Sequence, residues 1–125
     1  MVSDIILYIG SIVIALWGIA HIVPTKSVVT NFGPISEDNK RIITMEWIAG
    51  GLTLCFIDLF VLFITILDGS QNPVSLNVYR ISAGMLIIMA VLTVLTGART
   101  SIVPIKICPL VKTTVAIMFF LGSIL

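Results

Sequence analysis

Two short stretches decide the fold of this chain: GIAHIVPT at residues 18–25 and MEWIAGG at residues 45–51. The first stretch ends a long apolar segment, because Pro24 cannot continue a helix. The second stretch lies at the start of the next apolar segment. Together they hold His21, the only histidine of the chain, and Glu46, which is surrounded by apolar sequence. The pattern predicts two helices that are joined by a polar loop and carry ionisable side chains near their ends.

Apolar segments of this kind recur along the chain, and we expect four spans at residues 4–23, 43–67, 76–97 and 107–125. A helix needs about 20 apolar residues to cross a hydrocarbon core of about 30 Å. Of the 125 residues, 58% are hydrophobic and 10% are charged, whereas a soluble domain is about 25% charged. We therefore predict an all-α integral membrane protein: a single domain over residues 1–125, with four transmembrane helices in an up-down bundle.

The ends of three helices carry specific signals. No positively charged region precedes the first span, so we expect a retained helix there and not a cleaved signal peptide. Ser36, followed by two acidic residues, predicts that the second helix begins before it reaches the membrane. Pro109 is expected in the first turn of the fourth helix, where a missing N–H costs nothing.

Loop charges predict the orientation of the chain in a cell membrane. The first and third connections carry the basic residues Lys26, Lys40, Arg41, Arg99 and Lys106, whereas the second connection carries only Asp68. Cytoplasmic loops are enriched in lysine and arginine. We therefore expect a multi-pass protein with the first and third connections in the cytoplasm and both termini on the outer side.

One group of candidate site residues is expected near the cytoplasmic ends of the helices. His21, Glu46 and Lys112 are predicted at similar depth, and Trp17 lies one turn before His21. Ionisable residues inside spans usually face the bundle interior, so these four are candidates for binding a ligand or handling a proton. In the alternative interpretation, Lys112 extends to the lipid headgroups, Glu46 pairs locally, His21 bonds a backbone carbonyl and Trp17 packs. Trp47 is assigned to an interfacial aromatic belt.

Asp58 and Arg80 form a second group, nearer the outer side. Their predicted axial separation is about 7 Å, which an arginine side chain can bridge. We expect a structural ion pair between adjacent antiparallel helices. The alternatives are an anionic ligand on Arg80 or a proton carried by Asp58.

Several function classes are disfavoured by what the sequence lacks. The net charge of +1 does not suggest nucleic-acid binding, and one histidine with two separated cysteines does not make a metal site. Cys55 and Cys108 are interpreted as packing residues. Phosphate-binding loops and serine-nucleophile motifs are also missing, so the sequence indicates no soluble-enzyme chemistry, assigns no catalytic residue, and disfavours an enzyme without excluding one.

The arrangement resembles small bacterial four-helix membrane proteins of the DoxX-like type. The similarity rests on Gly18, His21 and Pro24 at the end of the first helix, and on Glu46 before the Gly51-Leu52 run of the second. The small residues Ala83 and Ala90 of the third helix add to it. The resemblance implies a four-helix architecture and, through some members, an association with quinone-linked redox enzymes. Quinone is therefore the one cofactor that it suggests.

Three functions are compatible with these patterns. The first is a binding or auxiliary role, in which the bundle holds an apolar, lipid-like molecule or supports a larger membrane complex. The second is a small proton-coupled transporter that works as a homo-oligomer, because four helices alone make a poor pathway. The third is an intramembrane enzyme that acts on an apolar substrate, with His21 and Glu46 as an acid–base pair.

Overall fold

Helices account for nearly all of the chain. The computed structural model describes residues 2–125, and this range contains α1 (Val2–Ile22), α2 (Thr25–Thr30), α3 (Glu37–Leu67), α4 (Pro73–Leu95), a 3-10 turn (Gly97–Arg99) and α5 (Val103–Ile124). No strand occurs among the described residues. α1, α3, α5 and α4 with the turn that follows it are each long and apolar enough to cross a membrane. The predicted all-α class with four apolar helices is confirmed.

The start of α3 follows from its capping residue, as the sequence predicts. Ser36 adopts an extended backbone conformation, and its hydroxyl accepts a hydrogen bond from the N–H of Asn39 at 3.1 Å. This bond satisfies one of the N–H groups that a helix leaves without a partner at its first turn. α3 therefore begins at Glu37, six residues before the predicted span.

The start of α5 corrects the prediction for Pro109. The helix begins at Val103, and Pro104 occupies its first turn, while Pro109 lies inside the helix. A helix accepts proline most readily in the first turn, and Pro104 is the first proline that the chain offers there. Because α5 begins earlier than expected, Lys112 lies about two and a half turns into it.

The long helices form an up-down bundle with one loosely closed side. α1 packs closely against both α3 and α5, and α5 packs closely against α4, whereas α3 and α4 touch only lightly. Neighbouring helices run antiparallel: Asp4 of α1 accepts a hydrogen bond from Ser70, just past the end of α3, and Arg80 and Ser123 join the start of α4 to the end of α5. The weak α3–α4 contact leaves a gap along that side.

Two glycines allow α1 and α3 to approach closely. A Cβ atom added to Gly18 or to Gly51 would lie 3.1 Å from the carbonyl oxygen of the other residue. The added atom on Gly51 would also overlap the side chain of Ile22. Small residues of this kind let helix backbones come together in bundles whose outer surfaces are apolar.

A buried hydrogen bond connects α3 and α4 at the opposite end from the first loop. The hydroxyl of Tyr79, which is fully buried, lies 2.8 Å from that of Thr65. Thr65 also donates to the carbonyl of Val61 at 2.7 Å. The two helices are therefore held together at this end.

Candidate functional site

A cleft of about 510 Å³ lies between α3 and α4 at the end of the bundle that carries the first and third connections. All four long helices contribute to its lining. The residues that line it are His21, Ile42, Ile43, Glu46, Trp47, Gly50, Met89, Leu92, Thr93, Thr96 and Lys112. The structure thus brings together three of the four predicted site residues, namely His21, Glu46 and Lys112. Their use in binding stays a prediction.

The imidazole of His21 is held in place by α3. Its ring stacks on the indole of Trp47, with centroids 4.1 Å apart and planes 13° from parallel. The indole Nε1–H of Trp47 donates to the backbone carbonyl of His21 at 2.6 Å. Gly50 leaves room for the ring, because a Cβ atom there would lie 3.3 Å from the imidazole Nε2. The end of α1 and the start of α3 therefore fix His21 at the edge of the cleft.

Trp47 is the residue that the sequence interpretation missed. The sequence assigns it to an interfacial belt, which stays a prediction; in the structure it is the stacking partner of His21 and lines the cleft. A signal for this role exists in the sequence. Trp47 and Gly50 are three positions apart on one helix and so share a face. A large flat indole next to a glycine, which has no side chain, leaves room for another ring to stack on the indole.

Lys112 is buried although it carries a positive charge. Its side chain is 6% exposed, and its ammonium donates to the hydroxyl of Thr93 at 3.2 Å. Thr93 in turn donates to the carbonyl of Met89 at 2.8 Å. The alternative in which Lys112 extends to the lipid headgroups is therefore wrong. The ammonium has three donors, and the bond to Thr93 is its only hydrogen bond within residues 2–125.

Glu46 faces the same cleft without pairing directly with Lys112. The only ion pair in the part of the chain that the structure describes joins Lys40 and Glu37 at 3.4 Å, on the exposed start of α3. The cleft thus holds one carboxylate and one ammonium whose charged atoms are more than 4.0 Å apart. Both groups line the cleft without neutralising each other in a direct ion pair.

Trp17 lies outside the cleft. Its indole Nε1–H points to the sulfur of Cys108 at 3.2 Å, and its ring packs against the apolar core. This position supports the packing interpretation for Trp17. Cys108 is buried and Cys55 is half-buried, both are free thiols, and Cys55 lies next to Gly18.

The expected ion pair between Asp58 and Arg80 is not formed. Arg80 is exposed, and its guanidinium donates to the hydroxyl and the carbonyl oxygen of Ser123 at 3.2 and 3.4 Å. Asp58 is 6% exposed and pairs with no cation among residues 2–125. The packing of the bundle explains this difference. α4 packs closely on α5 and only lightly on α3, so Arg80 finds its partner on α5.

A second depression, of about 660 Å³, lies between α2 and the start of α3. Lys26 and Lys40 line it together with Thr30 and Thr44. Both threonine hydroxyls donate to backbone carbonyls one turn earlier, at 2.8 and 2.7 Å, and Lys40 pairs with Glu37. Because both threonine hydroxyls and Lys40 already have partners, this depression is a weaker candidate than the cleft.

Metal binding and similarity to known proteins add no further site. No group of three or more histidine, cysteine, aspartate or glutamate side chains within the described residues could hold a metal ion. Comparison of the chain with protein-family models, with curated proteins and with solved structures found no match. The DoxX-like resemblance, and the quinone that it implies, therefore stay predictions.

Proposed function

We propose that this chain is a multi-pass membrane protein whose bundle binds a lipid-like amphiphile in the cleft between α3 and α4. The bundle leaves most of its apolar surface without a protein partner: between 22% and 44% of the residues in each candidate span are buried. Large apolar side chains such as Phe56, Phe63 and Ile88 are 58–64% exposed. A bilayer is the solvent that covers such a surface.

The observation that carries the binding proposal is the burial of Lys112 beside an open cleft. An ammonium that is taken out of water is costly unless acceptors surround it. Thr93 supplies one neutral acceptor, and the remaining donors are free to bind an acceptor on a ligand. The volume of the cleft lies within the roughly 300–1,000 Å³ that small-molecule sites span.

The shape of the cleft suits a molecule with a polar head and an apolar tail. His21, Glu46 and Lys112 supply its polar groups. Ile42 and Leu92 line it as well, yet they are 53% and 61% exposed, so the cleft opens to the outside of the bundle between α3 and α4. A lipid-like molecule would place a carbonyl, carboxylate, phosphate or hydroxyl against Lys112 and leave its chain along this opening. A quinone carbonyl is one such acceptor.

Filling the cleft tests this proposal. Leu92→Trp places an indole at the opening, and we expect it to reduce the lipid that stays bound in mild detergent by about tenfold, which corresponds to about 1.4 kcal/mol. Native mass spectrometry of protein purified from membranes counts the lipid adducts. Leu95→Trp is the matched control, because Leu95 lies on the same helix, is 56% exposed and does not line the cleft. Equal retention of lipid by both variants would contradict the proposal.

We propose the orientation with both termini on the outer side, on the basis of the basic residues in the first and third connections. A reporter that is active only outside the cytoplasm is expected to be active when it is fused after Leu125. In the opposite orientation, the reporter would be active when it is inserted at Asn31, in the first connection, and inactive at Gln71, in the second connection, and after Leu125. Our orientation requires activity at Gln71 and at Leu125 and none at Asn31.

A further inference from the structure

A second polar layer lies in the middle of the bundle, apart from the cleft. Asp58 of α3 is 6% exposed, and Ser11 of α1 is fully buried. Among residues 2–125, the hydroxyl of Ser11 has no hydrogen-bond partner, and Asp58 forms no ion pair. Buried polar groups in folded proteins are almost always satisfied. Ser11, Ser70 and Ser75 are the buried hydroxyls without a partner in this range, and Asp58 is its one buried carboxyl group, so both kinds of group need an explanation.

The packing of α1 on α3 places these two residues on the same seam. Gly18 packs against Gly51 and Leu54. A step of seven residues along a helix returns to nearly the same direction, within about 20°. Ser11 is seven residues before Gly18, and Asp58 is seven residues after Gly51. Because α1 and α3 run antiparallel, both steps lead the same way along the bundle, so Ser11 and Asp58 face the α1–α3 seam at one depth.

That depth is close to the middle of a bilayer. Asp58 lies nine residues before the end of α3 at Leu67, which is about 14 Å at 1.5 Å per residue. Half of a typical hydrocarbon core is about 15 Å. An ionised carboxylate at this level is expensive unless a cation accompanies it.

No charged group on the other helices compensates Asp58. On α1, Asp4 binds the N–H of Ser70 at the helix start, and His21 stacks on Trp47 at the helix end. On α4, Arg80 binds Ser123. On α5, Lys112 binds Thr93 and faces the cleft, and Lys106 is exposed in the first turn. The lightly packed α3–α4 side brings no further ionisable residue to this level.

We propose that Asp58 is a reversible proton-binding site in the middle of the bundle, held as a neutral carboxylic acid with the hydroxyl of Ser11 as its neighbour on the seam. In the neutral form the carboxyl carries one O–H donor and keeps acceptor capacity, so it suits a hydroxyl, which can both donate and accept. Release of the proton leaves a carboxylate, which a serine hydroxyl can stabilise by donating to it. This site is independent of ligand binding in the cleft. Reversible binding of a proton inside the bundle is the chemistry that a proton-coupled carrier requires.

Reaction with a hydrophobic carbodiimide tests whether Asp58 holds a proton. The acid transfers its proton to a carbodiimide nitrogen while the carboxylate oxygen adds to the central carbon, and the adduct rearranges to a stable N-acylurea. With dicyclohexylcarbodiimide, we expect the intact protein in detergent to be labelled at Asp58, and labelling to fall as the pH is raised. Glu46→Gln, which removes the cleft carboxylate, should be labelled at Asp58 like the wild type, whereas Asp58→Asn should lose that label.

Infrared difference spectroscopy after a pH jump gives a second readout that does not depend on the reagent. The carbonyl band of a protonated carboxylic acid should change in the wild type and be missing in Asp58→Asn. Ser11→Ala should shift this band, because it removes the hydroxyl that we propose as the neighbour of the acid. Ser75→Ala is the matched control, because Ser75 is also buried with an unsatisfied hydroxyl but lies on α4, near Tyr79. The proposal would be overturned if the wild-type protein showed neither the label nor the band. It would also be overturned if Ser75→Ala shifted the band as much as Ser11→Ala does.

Discussion

Gly51→Leu is expected to separate α1 from α3 and to lower the melting temperature of the purified bundle more than any other single change considered for this chain. The added side chain would overlap Ile22 and press on the backbone carbonyl of Gly18. Overpacking a core costs about 1–3 kcal/mol when side chains can move aside, and more when they cannot. Here the obstacle includes backbone, which can move only if the two helices part. Thermal unfolding in detergent, followed by circular dichroism, measures the effect.

Gly84→Leu is the matched control for this prediction. Gly84 lies on α4, it is exposed, and a Cβ atom at this position would meet no heavy atom within 4 Å. Both changes replace a helical glycine with the same good helix former, so they share any gain in helix propensity. We expect Gly84→Leu to melt at or above the temperature of the wild type. Equal melting temperatures for the two leucine variants would contradict the close α1–α3 approach.

Under the proposed function, Lys112→Met is expected to remove most of the bound amphiphile while it leaves the melting temperature unchanged or raises it. Methionine has a similar length and no charge, so the buried site no longer has to hold an ammonium with a single neutral partner. The ligand, however, loses the donor that its polar head requires. We expect at least about a tenfold loss of lipid adducts, equivalent to about 1.4 kcal/mol, by native mass spectrometry.

The two measurements, bound lipid and melting temperature, distinguish a lysine that binds a ligand from a lysine that stabilises the fold. Lys106→Met removes the same charge from an exposed position of α5 that does not line the cleft, and it is expected to leave both lipid binding and melting unchanged. A Lys112→Met variant that melts far below the wild type and still keeps its lipid would show that Lys112 stabilises the fold. Residues that serve binding often cost stability, and Lys112 has the burial expected of such a residue.

Much of the architecture of this protein follows from its sequence alone. The length and apolar composition of the segments determine four long helices, because their chain length and lack of charge are local properties. Ser36 determines the start of α3 in the same way, through a hydrogen bond to a residue only three positions away. Helical geometry alone also places His21, Glu46 and Lys112 at one end of the bundle, where they share a cleft.

Pairings between helices were decided only by the tertiary structure. Counting residues along the helices places Asp58 and Arg80 at compatible depths, yet Arg80 binds Ser123. The reason is that α4 packs closely on α5 and only lightly on α3. Depth along a helix follows from counting residues. Which helix lies next to which depends on how closely the faces pack, and here the glycines of α1 and α3 favour that pair.

The candidate sites also depend on which helix faces pack together. The stacking of His21 on Trp47, beside Gly50, depends on how α1 and α3 cross. The burial of Asp58 and Ser11 likewise depends on the packing of the helices. Residue types and spacing determined which side chains were available at each depth. The packing of backbones decided which of them meet, since apolar helices of similar length can be arranged in several orders and only close contact between particular faces selects one.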